Sequence, residues 1–359
     1  MLTGMIVLGI ESSCDETSAG VVRDGKVLLS NVTISSVNLH AQYGGVVPEI
    51  AARSHIEAVV PVIQQALDDA GCTWDDVDAI AVTQGAGLNG SLLIGVLAAR
   101  TLAIVKKKPL YAVNHVEGHI YVNFITETTL ENFTPRVEQP QFPMLGIIVS
   151  GGHSQLVVWR SHFDYTLLGQ TQDDAIGEAF DKVGRILGLP FPGGVSVSKL
   201  ADSGDGDTHA FSFPKAKLTG KYDFSFSGLK TAVLRAAQEA VGKDYSLPSL
   251  ELPGLLSDKQ KADIAASFQR VACETIVDKA VAAFEEFGPK SVVIGGGVAA
   301  NGELRRQLAA RIPYPIEYPD MKLCGDNGAM IAVLGSYHMS ENQPTVDPYS
   351  LEIKPNLSM

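Results

Sequence analysis

The sequence predicts an α/β fold made of two lobes, one repeating the other. Two internal echoes and one strand-end motif predict it. With an offset of 137 residues, Leu8-Gly9-Ile10 falls on Leu145-Gly146-Ile147, Ser13 on Ser150 and Val21 on Val158. Both segments read strand, polar turn, strand. Further on, Ser291 to Gly302 repeats Ala79 to Gly90, so that Asn301-Gly302 falls on Asn89-Gly90. The helices that follow both contain Leu-Ala-Ala-Arg, at 97–100 and 308–311. Two echoes in the same order indicate a duplicated unit. The third observation is His115-Val116-Glu117-Gly118-His119, directly after the apolar run Pro109 to Asn114. It stands at the carboxyl end of a strand, where open α/β sheets bind ligands.

Taken in order, Met5 to Ile10 forms a strand and Glu11 to Ser18 a polar tip with three carboxylates, Glu11, Asp15 and Glu16. Strands Ala19–Val22 and Val27–Ser35 complete a meander. A glycine-containing loop, His40 to Glu49, leads into a helix from about Glu49 to Ala70 with apolar Ile56, Val59, Val60, Ile63 and Leu67. A buried strand (Asp78–Thr83), a Gly-rich turn (Gln84–Gly90) and an apolar helix (Ser91–Val105) follow, ending in Lys106-Lys107-Lys108. Lysines there suit the helix dipole and also offer a basic patch. The polar, proline-bearing stretch Thr126 to Pro143 is the expected domain boundary. The expected lobes are 1–135 and 136–340, with a helical insertion at about 173–285, helix 326–338 open to packing back on the first lobe, and a loose tail at 341–359. Within the insertion, Asp173–Leu187, Leu229–Ala240 and Ser257–Phe287 are expected helices, and Asp326 is expected to open the last one. Lys215, Lys217 and Lys221 beside Phe224 and Phe226 make a second candidate patch for a nucleic-acid strand.

Meander, helix, strand and helix, doubled around a cleft, is the plan of the actin, sugar-kinase and heat-shock ATPase superfamily, which binds nucleotide between its lobes. In that plan the His115–His119 helix and the helix opened by Asp326 correspond, and their starts should face each other across the cleft. Histidines four apart share a helix face, so His115, His119 and Asp326 make a three-ligand metal site with open positions. The sequence argues against a metalloprotease. Its glutamate base would stand at Val116 or Gly118, whereas Glu117 lies roughly 200° around the helix from either histidine.

Composition narrows the classes further. The chain of 359 residues has 45% apolar and 19% charged residues, as ordered globular proteins do. The first ten residues carry no basic residue and no long apolar run, so neither a secretory signal nor an Arg-rich transit peptide is expected. No stretch is expected to span a bilayer. Cys14, Cys72, Cys273 and Cys324 are scattered, as reduced cytoplasmic thiols are. A formal charge of −12 does not attract polyanions globally, so nucleic-acid contact needs a local basic patch or a basic partner.

The segments IESSCDETS, HAQYGGVVPEIAARSH, NHVEGH, VSGGHSQL, DDAIGEAFDKVGRILGLPFPGG, FSFSGLKTAV, GGGVAANGELR and CGDNGAMIA together resemble the bacterial tRNA threonylcarbamoyladenosine transferase family, once labelled a glycoprotease. The resemblance runs from about Ile6 to Gly335. It implies transfer of a threonylcarbamoyl group from threonylcarbamoyl-AMP to the exocyclic amine of the adenosine 3′ of the anticodon, in tRNAs reading codons that begin with adenine. It implies one Fe(2+) ion per chain, with Zn or Mg as alternatives, on His115, His119 and Asp326. The adenylate site, which ATP, ADP or AMP would share, matches Val149, Ser150, Gly151, Gly152, His153, Asp181, Gly194 and Asn301. Ser198 stands where some members have a binding aspartate. Asp15 and Glu16 match the family's acidic pair, with a role in accepting the amine proton. Implied partners are tRNA, a smaller bacterial paralogue of the same fold and a P-loop ATPase, with no membrane. Two rivals remain at this level. An ATP-dependent small-molecule kinase of the same fold would not need the two histidines, and a non-catalytic paralogue would be expected to lack them.

Overall fold

The computed structural model describes residues 3–131 and 133–359. The first strand already sets the pattern: β1 (Ile6–Glu11) is wholly buried. It pairs antiparallel with β2 (Glu16–Arg23), which pairs antiparallel with β3 (Val27–Ser35). After α1 (Val37–Ala41) and α2 (Pro48–Asp69), β4 (Ala79–Gly85) runs parallel to β1. Then α3 (Asn89–Lys106) leads to β5 (Leu110–Asn114), α4 (His115–Tyr121) and a short β6 (Glu127–Thr128). Among the described residues these strands form one sheet in the order β5-β4-β1-β2-β3-β6.

The chain then repeats the meander. β7 (Met144–Val149), β8 (Ser154–Ser161) and β9 (Asp164–Gln170) pair antiparallel in sequence. Helices α5 (Ile176–Leu187), α6 (Gly193–Ala201), α7 (Ser227–Ala240), α8 (Leu252–Leu255) and α9 (Asp258–Phe287) come next. β10 (Ser291–Gly295), α10 (Gly302–Arg311) and α11 (Gly328–Ser340) complete the element order. The second sheet runs β10-β7-β8-β9. That order matches β4-β1-β2-β3 strand for strand, and it joins the same segments that the sequence echoes join. The fold is the expected duplicated α/β plan of the actin-like superfamily.

Two compact units emerge. The first comprises Met1–Gln141, Val293–Gly295 and Glu317–Met359, and the second Phe142–Val292 and Gly296–Ile316. The chain therefore passes from one to the other at 141/142, where the sequence suggested 135/136, and α11 belongs to the first unit. Consequently α4 and α11 do not face each other from separate lobes; they pack against one another inside one unit.

Several local expectations shift for identifiable reasons. Helix α2 turns Ala51, His55, Ala58, Val59, Val62, Ile63, Ala66 and Leu67 inward, while Ile56 and Val60 are exposed at 61% and 69%. Helix α3 is long and apolar enough, by length and composition alone, to cross a membrane, contrary to the sequence reading. Its Val96, Ala99 and Ala103 are buried in the core of the first unit, while Leu93, Leu97 and Val105 are exposed. Helix α5 starts at Ile176 because Asp173 is engaged elsewhere, its carboxylate accepting from the backbone N–H of Phe226 and Ser227 and from the Ser225 hydroxyl. The tail is not loose. Arg100 donates to the carbonyls of Pro348, Tyr349 and Leu351, the N–H of Val346 to Leu110, and Leu351 is buried.

Helix α11 contacts β1 and β2 at backbone distance. A Cβ on Gly9 would lie 2.2 Å from the Ala332 nitrogen, one on Gly20 2.4 Å from that of Ala329, and one on Gly328 2.3 Å from the Ala19 carbonyl carbon. Glycine is required at these positions for close approach. Near its end, His338 has its pKa pushed down to about 4 by burial. The unfolded imidazole titrates near 6.5, so between these values the unfolded chain binds a proton that the folded chain does not. Stability from this group is thus present above pH 6.5 and is lost as pH falls towards 4. His338→Phe is expected to flatten the loss of urea resistance between pH 7.5 and 4.5; an unchanged slope refutes the assignment.

Candidate active site

Strand β5 ends at Asn114, whose side-chain oxygen accepts from the Val116 N–H and starts α4. This cap directs the first turn, with His115 and His119 on one face, towards α11. There the N-cap is Asn327, not Asp326: the Asn327 carboxamide oxygen accepts from the Met330 N–H. Because Asn327 does the capping, the Asp326 carboxylate is available to the histidines. Its Oδ1 lies 3.5 Å from Nε2 of His115 and 3.4 Å from Nε2 of His119. The three ligand atoms lie within 4.8 Å of one another. His119 has 0% exposure and His115 6%, so both rings lie inside the fold.

The surrounding charge fits a cation. Burial would lower the His115 pKa, but the Asp326 and Glu11 carboxylates raise it to about 9. Burial raises Asp326 to about 6, against the pull of His115. Glu16 is pushed up to about 9 by burial and by the Asp326 and Asp15 carboxylates. Two imidazole nitrogens and a carboxylate are a donor set for a divalent transition metal, and their arrangement leaves coordination positions open. His115, His119 and Asp326 form the candidate metal centre.

The acidic tip between β1 and β2 belongs to the same unit. It is braced by histidines from the glycine-containing loop and α2, to which the sequence assigned no role. The Ser36 hydroxyl donates to the Asp15 carbonyl, and the ring of His40 bonds Ser36 Oγ at 3.0 Å. His55 bonds the Cys14 carbonyl through Nε2 at 2.9 Å and the Thr17 hydroxyl through Nδ1 at 2.7 Å. The only sequence signal was their position in one long motif. Burial and nearby carboxylates push the Cys14 thiol up, so it offers no thiolate nucleophile.

The second unit gathers the other predicted residues. Val149 ends β7 and Ser154 begins β8; between them the Ser150 N–H donates to the His153 carbonyl, and the His153 N–H to Ser150 Oγ. Gly151 and Gly152 are exposed, with nothing within 4 Å of where a Cβ would stand. Gly177, in the first turn of α5, approaches so closely that a Cβ there would lie 2.6 Å from the Ser150 carbonyl oxygen. One turn on, the Asp181 carboxylate accepts from the N–H groups of Gly193 and Gly194 at 2.7 and 3.3 Å. The Asn301 carboxamide caps α10 and donates to Ser198 Oγ at 2.8 Å and to Gln269 at 2.9 Å. Ser198 and Asn301 are therefore brought together, and Asp181 and Asn301 each bond neighbouring segments of the second unit.

A sequence profile described as tRNA N6-adenosine threonylcarbamoyltransferase matches residues 27–333. The chain belongs to that family. A relative of the same description from Thermomicrobium roseum is 50% identical over 340 residues, 93% of this chain and 92% of its own. Another, from Symbiobacterium thermophilum, is 50% identical over 335 residues, covering 92% and 91%. One from Dehalococcoides mccartyi is 42% identical over 355 residues, 99% of each. Among solved structures, full-length HypF in a phosphate- and nucleotide-bound form aligns with a TM-score of 0.57 at 12% identity, over 93% of this chain and 56% of HypF. HypF from T. kodakarensis aligns at 0.56 and 14%, over 94% and 48%. These two likenesses bear on the fold alone. The threonylcarbamoyltransferase family membership makes the chain a transferase, and the kinase reading is the less supported one.

For a transferase acting on tRNA, the sequence-predicted lysine patch needs correction. Lys215 is paired with Asp278 at 2.6 Å and Glu274 at 3.6 Å, and Lys221 with Glu286. Phe224 and Phe226 are buried at 1% and 0%, so neither ring is available to stack on a base. The aromatic spacing belonged to a core, and two of the three charges are already compensated.

Proposed function

We propose that this enzyme transfers a threonylcarbamoyl group from threonylcarbamoyl-AMP to the exocyclic amine of the adenosine 3′ of the anticodon, in tRNAs that read codons beginning with adenine. What carries the reading is the convergence of His115, His119 and Asp326 beside the acidic tip, in a chain half identical to family members over most of its length. Fe(2+) is the ion assigned to the three ligands, with zinc or magnesium as alternatives. When bound, it supplies Lewis-acid stabilisation of developing negative charge.

The chain's own residues do the rest. An adenine amine is a weak nucleophile, because its lone pair is delocalised into the ring, so the acyl donor must be a mixed anhydride. The amine nitrogen attacks the carbamoyl carbon, the N–C bond forms, and the C–O bond to phosphate breaks with its electron pair leaving on AMP. The amine proton passes to the acidic pair Asp15 and Glu16, with Asp15 the assigned acceptor because Glu16 is pushed up to about 9 and already holds a proton near neutral pH. Val149 to His153 place the open N–H groups of Gly151 and Gly152 for the adenylate phosphate, which glycine lets approach closely. Asp181, Gly194, Ser198 and Asn301 shape the remainder of that subsite. The target base must leave its stack to react. Gly177→Ala is expected to push the 150–152 turn aside and weaken AMP binding by at least about tenfold, with metal content unchanged. Equal AMP affinity in both proteins counts against the nucleotide assignment.

A charge of −12 and the pairing of Lys215 and Lys221 favour tRNA capture shared with partners, the smaller paralogue and the P-loop ATPase. Exposed Ile56, Val60 and Leu97 on α2 and α3 supply apolar surface for a protein partner. The reading places the enzyme in the cytoplasm. The test is to purify the chain, measure bound metal, and supply threonylcarbamoyl-AMP and tRNA with and without both partners. Threonylcarbamoyladenosine in the digested tRNA is expected. Its absence with metal and both partners present overturns the reading.

A further inference from the structure

Glu11 closes β1 with 0% exposure, yet it is a carboxylate. Burying a charge is costly unless it is paired and hydrogen-bonded. Every group around it answers that cost. Its Oε1 accepts from the Ser13 N–H at 2.5 Å, and its Oε2 from the Thr83 hydroxyl at 2.5 Å and from Nδ1 of His115 at 3.0 Å. Ser13 Oγ lies 3.2 Å from the same Nδ1. The Ser13 N–H and the Thr83 hydroxyl give each oxygen of Glu11 a donor, so the carboxylate acts as an acceptor towards the ring as well. An ionised carboxylate only accepts hydrogen bonds, so the proton on that side of the ring belongs to Nδ1. The other nitrogen, Nε2, is the one facing Asp326.

We propose that Glu11 is a positioning residue that fixes His115 in the Nδ1–H tautomer and orientation, leaving the Nε2 lone pair for the metal. The proposal rests on the metal-centre reading given above. A neutral imidazole exists as either tautomer, and a carboxylate on one nitrogen decides between them. The Ser13 N–H holds Oε1 and the Thr83 hydroxyl holds Oε2, so the Ser13 contact still aims the carboxylate at the ring when the Thr83 one is lost. The competing view is that Glu11 only ties β1 to β4 and α4.

Glu11→Gln separates the two views because it conserves shape. A glutamine can still accept from Thr83 or Ser13. Its NH2 group, however, would turn towards Nδ1 and move the ring proton to Nε2. Zinc(II) alone is the probe, with affinity measured by competition against a chelator. Thr83→Val is the control: it removes one of the two further donors to Glu11, leaving the Ser13 N–H and the His115 bond. Positioning predicts that Glu11→Gln loses zinc affinity by about 10–100-fold, with the metal-free Tm within a few degrees of wild type. In the zinc-loaded wild type, proton and 15N spectra should show an exchange-protected Nδ1–H on His115, and the variant should lack it. Thr83→Val should lower Tm but leave zinc affinity within about threefold, well short of the loss from an orienting contact. If Glu11→Gln does not fold, Glu11→Asp takes its place. That carboxylate withdraws by one methylene, and zinc affinity must fall with secondary structure retained. Unchanged zinc affinity in the folded variant, with a lowered Tm, overturns the proposal and leaves Glu11 as a cross-link. A wild-type protein that binds no zinc, iron or magnesium fails the metal-centre reading itself, and is recognised before any variant is compared.

Discussion

His119→Ala is expected to abolish metal retention and threonylcarbamoyl transfer together. His119 contributes one of three ligand atoms, and its Nε2 sits 3.4 Å from the Asp326 carboxylate with the His115 ring edge-on at 4.7 Å between centroids. Only His115 and Asp326 would then remain to hold an ion. The loss in metal affinity should exceed the roughly 10–100-fold typical of removing an outer partner of a ligand. Transfer should fall at least as far. Because His119 is fully buried, truncation also leaves a cavity, with a stability loss of about 1–3 kcal/mol. The comparison therefore needs His119→Gln, which refills the space, and circular dichroism on both proteins. Elemental analysis decides the matter: full occupancy and wild-type turnover in two folded variants would remove the metal centre from this enzyme.

Gly328→Ala should do comparable damage from outside the ligand set. A Cβ at 328 would stand 2.3 Å from the Ala19 carbonyl carbon and 2.3 Å from the Gly20 nitrogen. Neither is a side chain that can rotate away; both are backbone of β2, in the middle of the sheet. Overpacking of this kind costs about 1–3 kcal/mol and sometimes more. Helix α11 has to shift, and Asp326 lies two residues before its first turn. The displacement should separate the Asp326 carboxylate from His115 and His119, lowering Tm and metal affinity in one variant. Gly325→Ala is the control, since nothing lies within 4 Å of its added carbon. Metal binding as tight in Gly328→Ala as in Gly325→Ala would show that α11 does not set the position of Asp326.

The sequence by itself determined the duplication, the strand-end placement of His115 and His119, and the identity of all three candidate ligands. Those features are local: an alternation of apolar residues, a four-residue spacing on a helix, a polar turn after a strand. Four others needed the tertiary structure. Asp326 read both as the residue opening the last helix and as a ligand; only the fold shows Asn327 taking the cap and leaving the acid to the histidines. Glu11 read as one of three tip carboxylates, and nothing in its neighbours indicated that it would meet Thr83, 72 residues away, and His115, 104 residues away. Lys215, Lys221, Phe224 and Phe226 read as a nucleic-acid surface until acidic residues of α9 paired the lysines and the core took the rings. Lastly, α11 follows the second repeat in the chain but completes the first unit. Its glycines state that close approach is allowed, but not which strands approach. Spacing along a chain fixes which residues share a face, whereas what that face meets depends on chain closure over long separations, which no local pattern encodes.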